Sequence, residues 1–106
     1  MNTGMKIGAE WINANQDALG NDVTVMAPAY ERSAKYIVYD YYFRDKYHAG
    51  DLHVTNMRGR GDVDDIESDT VVIFVDSRTN DLEYMLSKRY DRDTLAGPYV
   101  NVWRKR

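Results

Sequence analysis

The sequence predicts a small α/β domain, a Rossmann-like three-layer sandwich with a mainly parallel sheet of about four strands and helices on both faces. Helical and strand periodicities alternate along the chain. Turn signals rich in glycine, asparagine and proline separate them. The most apolar run, Val71-Val72-Ile73-Phe74-Val75, is β-branched and aromatic throughout, which suits a strand covered on both sides. The 106 residues fit a single domain, 1–106, with one core.

The elements follow in order. Ile7, Trp11, Ala14 and Ala18 recur at helical spacing, with Ile12 widening the stripe and Glu10, Asn13 and Asp17 facing away. This predicts a first helix that sets Trp11, Ile7 and Ala14 in the core with Val71 and Ile73. Gly20 is placed to stop it, and Asn21-Asp22 to turn the chain. Val23 to Met26 reads as a short strand closed by Pro28. From about Glu31 to Asp45, residues Ala34, Ile37, Val38, Tyr41 and Tyr42 follow the helical template. The β-branched and aromatic content of Tyr36 to Phe43 leaves a strand open there.

After the Gly50-Asp51 junction, Leu52 to Asn56 alternates like a strand, whereas Met57 to Ser68 reads as a charged loop. Thr70 to Val75 is the central strand. Asn80 can cap a third helix, with Glu83 at the capping-box position and Leu82, Met85 and Leu86 as its apolar stripe, Tyr90 being a further candidate. Gly97-Pro98 turns into Tyr99 to Trp103, whose alternation suits a half-exposed edge strand.

Composition bounds the function. The 43% hydrophobic and 29% charged fractions are those of a folded globular chain. A net charge of −3 gives no global reason to bind nucleic acid or anionic lipid, and the basic Arg104-Lys105-Arg106 end is too short to reverse that. The absence of cysteine rules out disulfides and thiolate metal sites but leaves the compartment open. No apolar run approaches the ~20 residues that span a bilayer. Met1 to Lys6 has no apolar signal core. Either the chain is cytosolic, or it is a domain excised from a larger protein that carries the targeting elements.

Candidate sites each have a plainer reading. Asp62, Asp64, Asp65, Glu67 and Asp69 could hold calcium or magnesium, but their spacing departs from the EF-hand loop, and a solvated acidic loop is the safer account. No metal or cofactor is expected in this domain. Gly59-Arg60-Gly61 is only a fragment of the dinucleotide fingerprint. Ser77 and Arg78 follow the central strand, where open α/β sheets bind ligands, although a turn capping the next helix explains Ser77, Thr79 and Asn80 equally well. His48 and His53 do not form a zinc pair, and no serine occupies a nucleophile elbow, so no catalytic residue is assigned.

Six of the nine tyrosines, Tyr30, Tyr36, Tyr39, Tyr41, Tyr42 and Tyr47, crowd one third of the chain. Helical spacing would bury Tyr41 and Tyr42 and leave Tyr36, Tyr39 and Tyr47 more exposed. Core packing with a wet edge accounts for most of them. A binding face is the alternative, with Arg58 and Arg60 nearby to pair with a phosphate.

Both ends of the chain resemble a known family. Ala9-Glu10-Trp11-Ile12-Asn13, then Asp22-Val23-Thr24-Val25 with a following proline, resembles the segment after the last transmembrane helix of certain membrane glycosyltransferases. These are the multi-spanning, polyprenyl-phosphate-sugar-dependent enzymes related to dolichyl-phosphate-mannose protein mannosyltransferases. Ser68 to Asp76 resembles their apolar strand, and Tyr99 to Lys105 resembles their closing strand. Tyr36 to Glu67 matches none of their motifs.

The resemblance implies a non-catalytic extracytoplasmic domain that helps to position acceptor or lipid-linked sugar. Its partners would be the transmembrane portion of the parent enzyme and a polyprenyl-phosphate sugar or glycan acceptor, not nucleic acid. The family's catalytic carboxylates lie in loops outside this segment, so none is carried over. Two alternatives stand beside it. One is a free-standing cytosolic α/β module binding a small anionic ligand near Ser77. The other is a protein-interaction domain using the tyrosine-rich surface.

Overall fold

The computed structural model describes residues 3–28, 34–57 and 61–106. In chain order the elements are α1 (Thr3–Ala14), α2 (Gln16–Leu19), β1 (Asp22–Ala27), α3 (Ala34–Tyr42), β2 (Asp51–Asn56), α4 (Gly61–Asp65), β3 (Thr70–Phe74), α5 (Thr79–Leu86), β4 (Tyr90–Gly97) and β5 (Val100–Lys105). The strands form one sheet in the order β2-β1-β3-β5-β4. β1 runs parallel to β2 and β3, whereas β5 is antiparallel to both β3 and β4.

This overturns the expected Rossmann-like three-layer sandwich with its mainly parallel sheet of about four strands. The sheet has five strands and is mixed, and the helices beside it are short. The cause is β4. Its sequence, Tyr90-Asp-Arg-Asp-Thr-Leu-Ala-Gly97, has no apolar alternation, because only Tyr90 is buried. Such a strand is specified by its hairpin partner rather than by its own pattern. Gly97 pairs with Val100, leaving the two-residue loop Pro98-Tyr99. Proline suits the first loop position, and Tyr99 takes a positive φ of 65° at the second. A tight hairpin reverses the chain, so β5 enters the sheet antiparallel.

α1 is turned from its expected phase. The buried stripe is Met5, Gly8, Ala9 and Ile12, while Ile7 and Trp11 are half-buried and Ala14 is exposed. Small residues decide the phase. A Cβ on Gly8 would run into the Phe74 ring, so only glycine lets α1 approach β3 this closely. Trp11 instead covers Gly97 at the end of β4, where any side chain would collide with the indole. Val71 and Ile73 are buried as expected, but they share the opposite sheet face with their register partners Trp103 and Asn101.

α5 covers that second face. It starts at Thr79, with no side-chain cap bond from the preceding residue, so Asn80 is not the cap. Glu83 is not part of a capping box either. Its Oε2 accepts the Trp103 indole N–H at 2.6 Å and the Asn101 amide at 3.1 Å. The segment read as a charged loop contains α4, and Val63 within it and Ile66 just after it are both buried.

α3 is a helix rather than the alternative strand. Its phase is also turned, with Val38 and Tyr42 buried but Ile37 64% and Tyr41 59% exposed. Gly20 does end the first helical segment, at φ 94°. The last carbonyls of α2 are then collected by Arg104. Its Nη2 donates to the Ala18 oxygen at 2.8 Å, and its Nη1 donates to the Leu19 oxygen at 2.9 Å and to Thr70 Oγ1 at 2.8 Å. Its Nε donates to Asp93 at 2.7 Å.

Two predictions follow from this packing. Ile12→Ala should cost about 2–5 kcal/mol by opening a cavity under α1, whereas Ala14→Ser should stay within about 0.5 kcal/mol. Urea unfolding of the two variants checks the phase of the helix. The second concerns acid. The hydrogen bond from Arg104 holds the Asp93 carboxyl below the usual aspartate range. Its stabilising contribution is therefore complete above the unfolded value and is lost as pH falls through the lowered folded value. Asp93→Asn should flatten this part of the acid limb of a stability-versus-pH curve.

Candidate functional site

The connections from β1 and β3 leave the sheet in different directions, β1 through α3 to β2 and β3 through α5 to the β4–β5 hairpin. Their carboxyl ends therefore flank the point where open α/β sheets hold ligands. The described part of this edge is the exit from β3. There the Asp76 N–H donates to Thr79 Oγ1 at 2.6 Å, and Thr79 donates to the Phe74 carbonyl at 3.0 Å. The Arg78 N–H donates to Asp76 Oδ1 at 2.7 Å.

Ser77 and Arg78 are exposed here as the sequence placed them. The backbone donors of Asp76 and Arg78 are already used, however, and one is used by a carboxylate. An anion arriving at this turn would meet the negative charge of Asp76, which weighs against an anion site at Ser77.

The tyrosine-rich segment is rearranged. Tyr47 is a correction, because it is buried rather than exposed, and its hydroxyl donates to the Gly20 carbonyl at 2.9 Å. Burial raises its pKa above the usual tyrosine value. Tyr39 is half-buried and packed on the core. The side chain of Tyr36, together with Arg58 and Arg60, lies outside the described residues. Tyr41, expected to be buried, is the exposed ring.

A cleft of about 720 Å³ opens beside that ring, between α1 and α3. Lys6, Ala9, Glu10 and Asn13 of α1 line one side, and Tyr41, Tyr42 and Lys46 the other. The Asn13 amide donates to the Tyr42 carbonyl at 2.9 Å, joining the two helices. Among the described residues, Asn13 Oδ1 and the Tyr42 hydroxyl are both buried without a hydrogen-bond partner. Burial raises the Tyr42 pKa, and neighbouring Tyr41 adds to the rise. The two rings meet edge to face, 4.9 Å between centroids and 73° between planes.

Reading Glu10 and Asn13 simply as an outward face missed this cleft. The available signal was Lys6, Glu10 and Asn13 at i, i+4 and i+7, a polar line beside the buried stripe.

A second, polar groove of about 570 Å³ lies on the opposite sheet face, lined by Asp22, Thr24, His53, Thr55, Asp65, Ile66, Glu67 and Ser68. Part of it is structural. The Thr24 and Ser68 hydroxyls share a 2.6 Å hydrogen bond, and Asp22 accepts the Asp69 N–H at 3.1 Å. Among the described residues, no group of three or more histidine, aspartate or glutamate side chains converges as a metal site. Nor is any described helix long and apolar enough to cross a membrane.

No protein-family model, characterised protein or solved structure matches this chain. The glycosyltransferase resemblance therefore stands on its short motifs alone.

The buried tyrosines generate a prediction at alkaline pH. Tyr42, Tyr47 and Tyr90 all have raised pKa values, chiefly through burial. The fold favours their neutral forms, so their contribution is complete below the usual tyrosine pKa and is lost as pH rises through the raised values. Tyrosinate absorbance should show these three ionising late, together with the loss of tertiary structure. Early ionisation of all the tyrosines in the intact fold would contradict the packing.

Proposed function

We propose that this chain is a non-catalytic binding domain, acting as the extracytoplasmic domain of a polyprenyl-phosphate-sugar-dependent membrane glycosyltransferase and helping to position acceptor or lipid-linked sugar. The observation that carries the reading is the α1–α3 cleft. An exposed aromatic ring, buried polar atoms and two lysines in one cleft suit a ligand that joins a sugar to a phosphate. The short motifs at both ends of the chain suggest the family, and the cleft offers a place for binding where α1, which carries the first motif, meets the middle segment that the motifs leave unassigned. The chemistry itself would belong to carboxylates of the parent enzyme, with its transmembrane portion as the partner.

The test is the size and location of the protein in the cells that make it. An antibody raised against the domain should detect a membrane-retained band much larger than the 12.3 kDa of this chain. The isolated domain should show no turnover of any polyprenyl-phosphate sugar. A band of the chain's own size in the soluble fraction would overturn the membrane assignment, and turnover by the isolated domain would overturn the non-catalytic one.

A further inference from the structure

We propose that the α1–α3 cleft binds a small polyhydroxylated molecule carrying an anionic group, and that Asn13 and Tyr42 read its hydroxyls. This rests on the cleft being the binding face named above, and adds the groups that recognise the ligand and the reason they select its hydroxyls.

The argument starts from two buried atoms. Asn13 Oδ1 and the Tyr42 hydroxyl have no partner within the described protein, although buried polar groups are nearly always hydrogen-bonded. The Asn13 amide nitrogen is committed to the Tyr42 carbonyl, which fixes the orientation of the side chain. Its oxygen can therefore only accept. The Tyr42 hydroxyl can donate or accept. Tyr42 itself is only 8% exposed, so this is an interior polar group rather than a surface one.

The pair discriminates among ligand groups. An ionised phosphate or carboxylate oxygen only accepts and leaves Asn13 Oδ1 unsatisfied. An ammonium only donates, and would enter a cleft that already contains Lys6 and Lys46. An alcohol does both. Neighbouring hydroxyls can donate to Asn13 and accept from Tyr42, while Glu10 offers a further acceptor. The two lysines then suit an anionic substituent on the same molecule.

Tyr41 completes the chemistry. Its ring rests edge-on against Tyr42 but is 59% exposed, so it can turn aside on entry and cover the apolar face of a sugar ring.

The test is an amide NMR titration of the full chain with glucose 1-phosphate, glucose and inorganic phosphate. Glucose 1-phosphate should give saturable shifts at Lys6, Asn13, Tyr42 and Lys46. Tyr42→Phe removes only a hydroxyl that has no partner among the described residues, so it should keep the dispersed spectrum and weaken binding about tenfold. Lys46→Gln should weaken glucose 1-phosphate but leave glucose unchanged.

Absence of saturable shifts would mean that a bridging water satisfies the two atoms, and would overturn the proposal. So would equal shifts with inorganic phosphate that survive Tyr42→Phe, which would mark a simple anion site. Saturable, Tyr42-dependent binding would uphold this ligand class even if the cellular protein proved small and soluble. A large membrane protein whose domain ignores all three probes would instead uphold the parent enzyme and reject the ligand.

Discussion

The guanidinium of Arg104 ties the end of α2 to three strands of the sheet at once. It donates to the last carbonyls of α2, to Thr70 at the start of β3 and to Asp93 in β4, from its own position in β5. The carbonyls at a helix end have no partner within the helix, and a cation there also meets the negative end of the helix dipole. Thr70 reinforces the joint by donating to the same Leu19 oxygen at 2.9 Å. Its Asp93 pair is only 33% and 25% exposed at the two side chains, which screens it less than an ordinary surface ion pair. The joint fixes where the end of the α1–α2 arm meets the sheet, beside the start of β3.

β5 is gripped from its other face as well. Glu83 on α5 reaches Trp103 and Asn101, whereas Arg104 points to the α2 side. Tyr90 adds a third tie, donating to the Ser68 carbonyl at 2.7 Å and joining the start of β4 to the segment before β3. One strand thus organises both layers. The cleft between α1 and α3 shares no residue with these ties, and none of them engages its polar atoms.

Much of this could be read from the residues, and the failures have physical causes. Val71 to Phe74 declares a central strand because every side chain is apolar and both faces are covered. Gly20 declares a stop because the chain needs a positive φ there. β4 could not be recognised, since an edge strand paired on one side carries little pattern of its own. The phases of α1 and α3 were misread for a different reason. Counting large apolar residues favours Trp11 and Tyr41, but close approach to the sheet is governed by Gly8 and Ala9, and large rings are left to cover the margins. The same limit holds for polar groups. Helical spacing puts Tyr47 and Asn13 at the surface, whereas the Tyr47 hydroxyl bonds inside the fold and the Asn13 amide reaches another helix.

The polarity that hides β4 in the sequence has a further consequence. As an outer strand it offers unpaired backbone groups on which another chain could add a strand of its own. Asp91 and Arg92 are exposed there, and the pairing with β5 shifts register between Arg92 and Ala96. Charged side chains along the rim make it costly to desolvate under a stacked copy, and the irregular register removes the straight template that intermolecular strand growth requires. The residues that close the sheet therefore also disfavour the addition of a further strand at its rim.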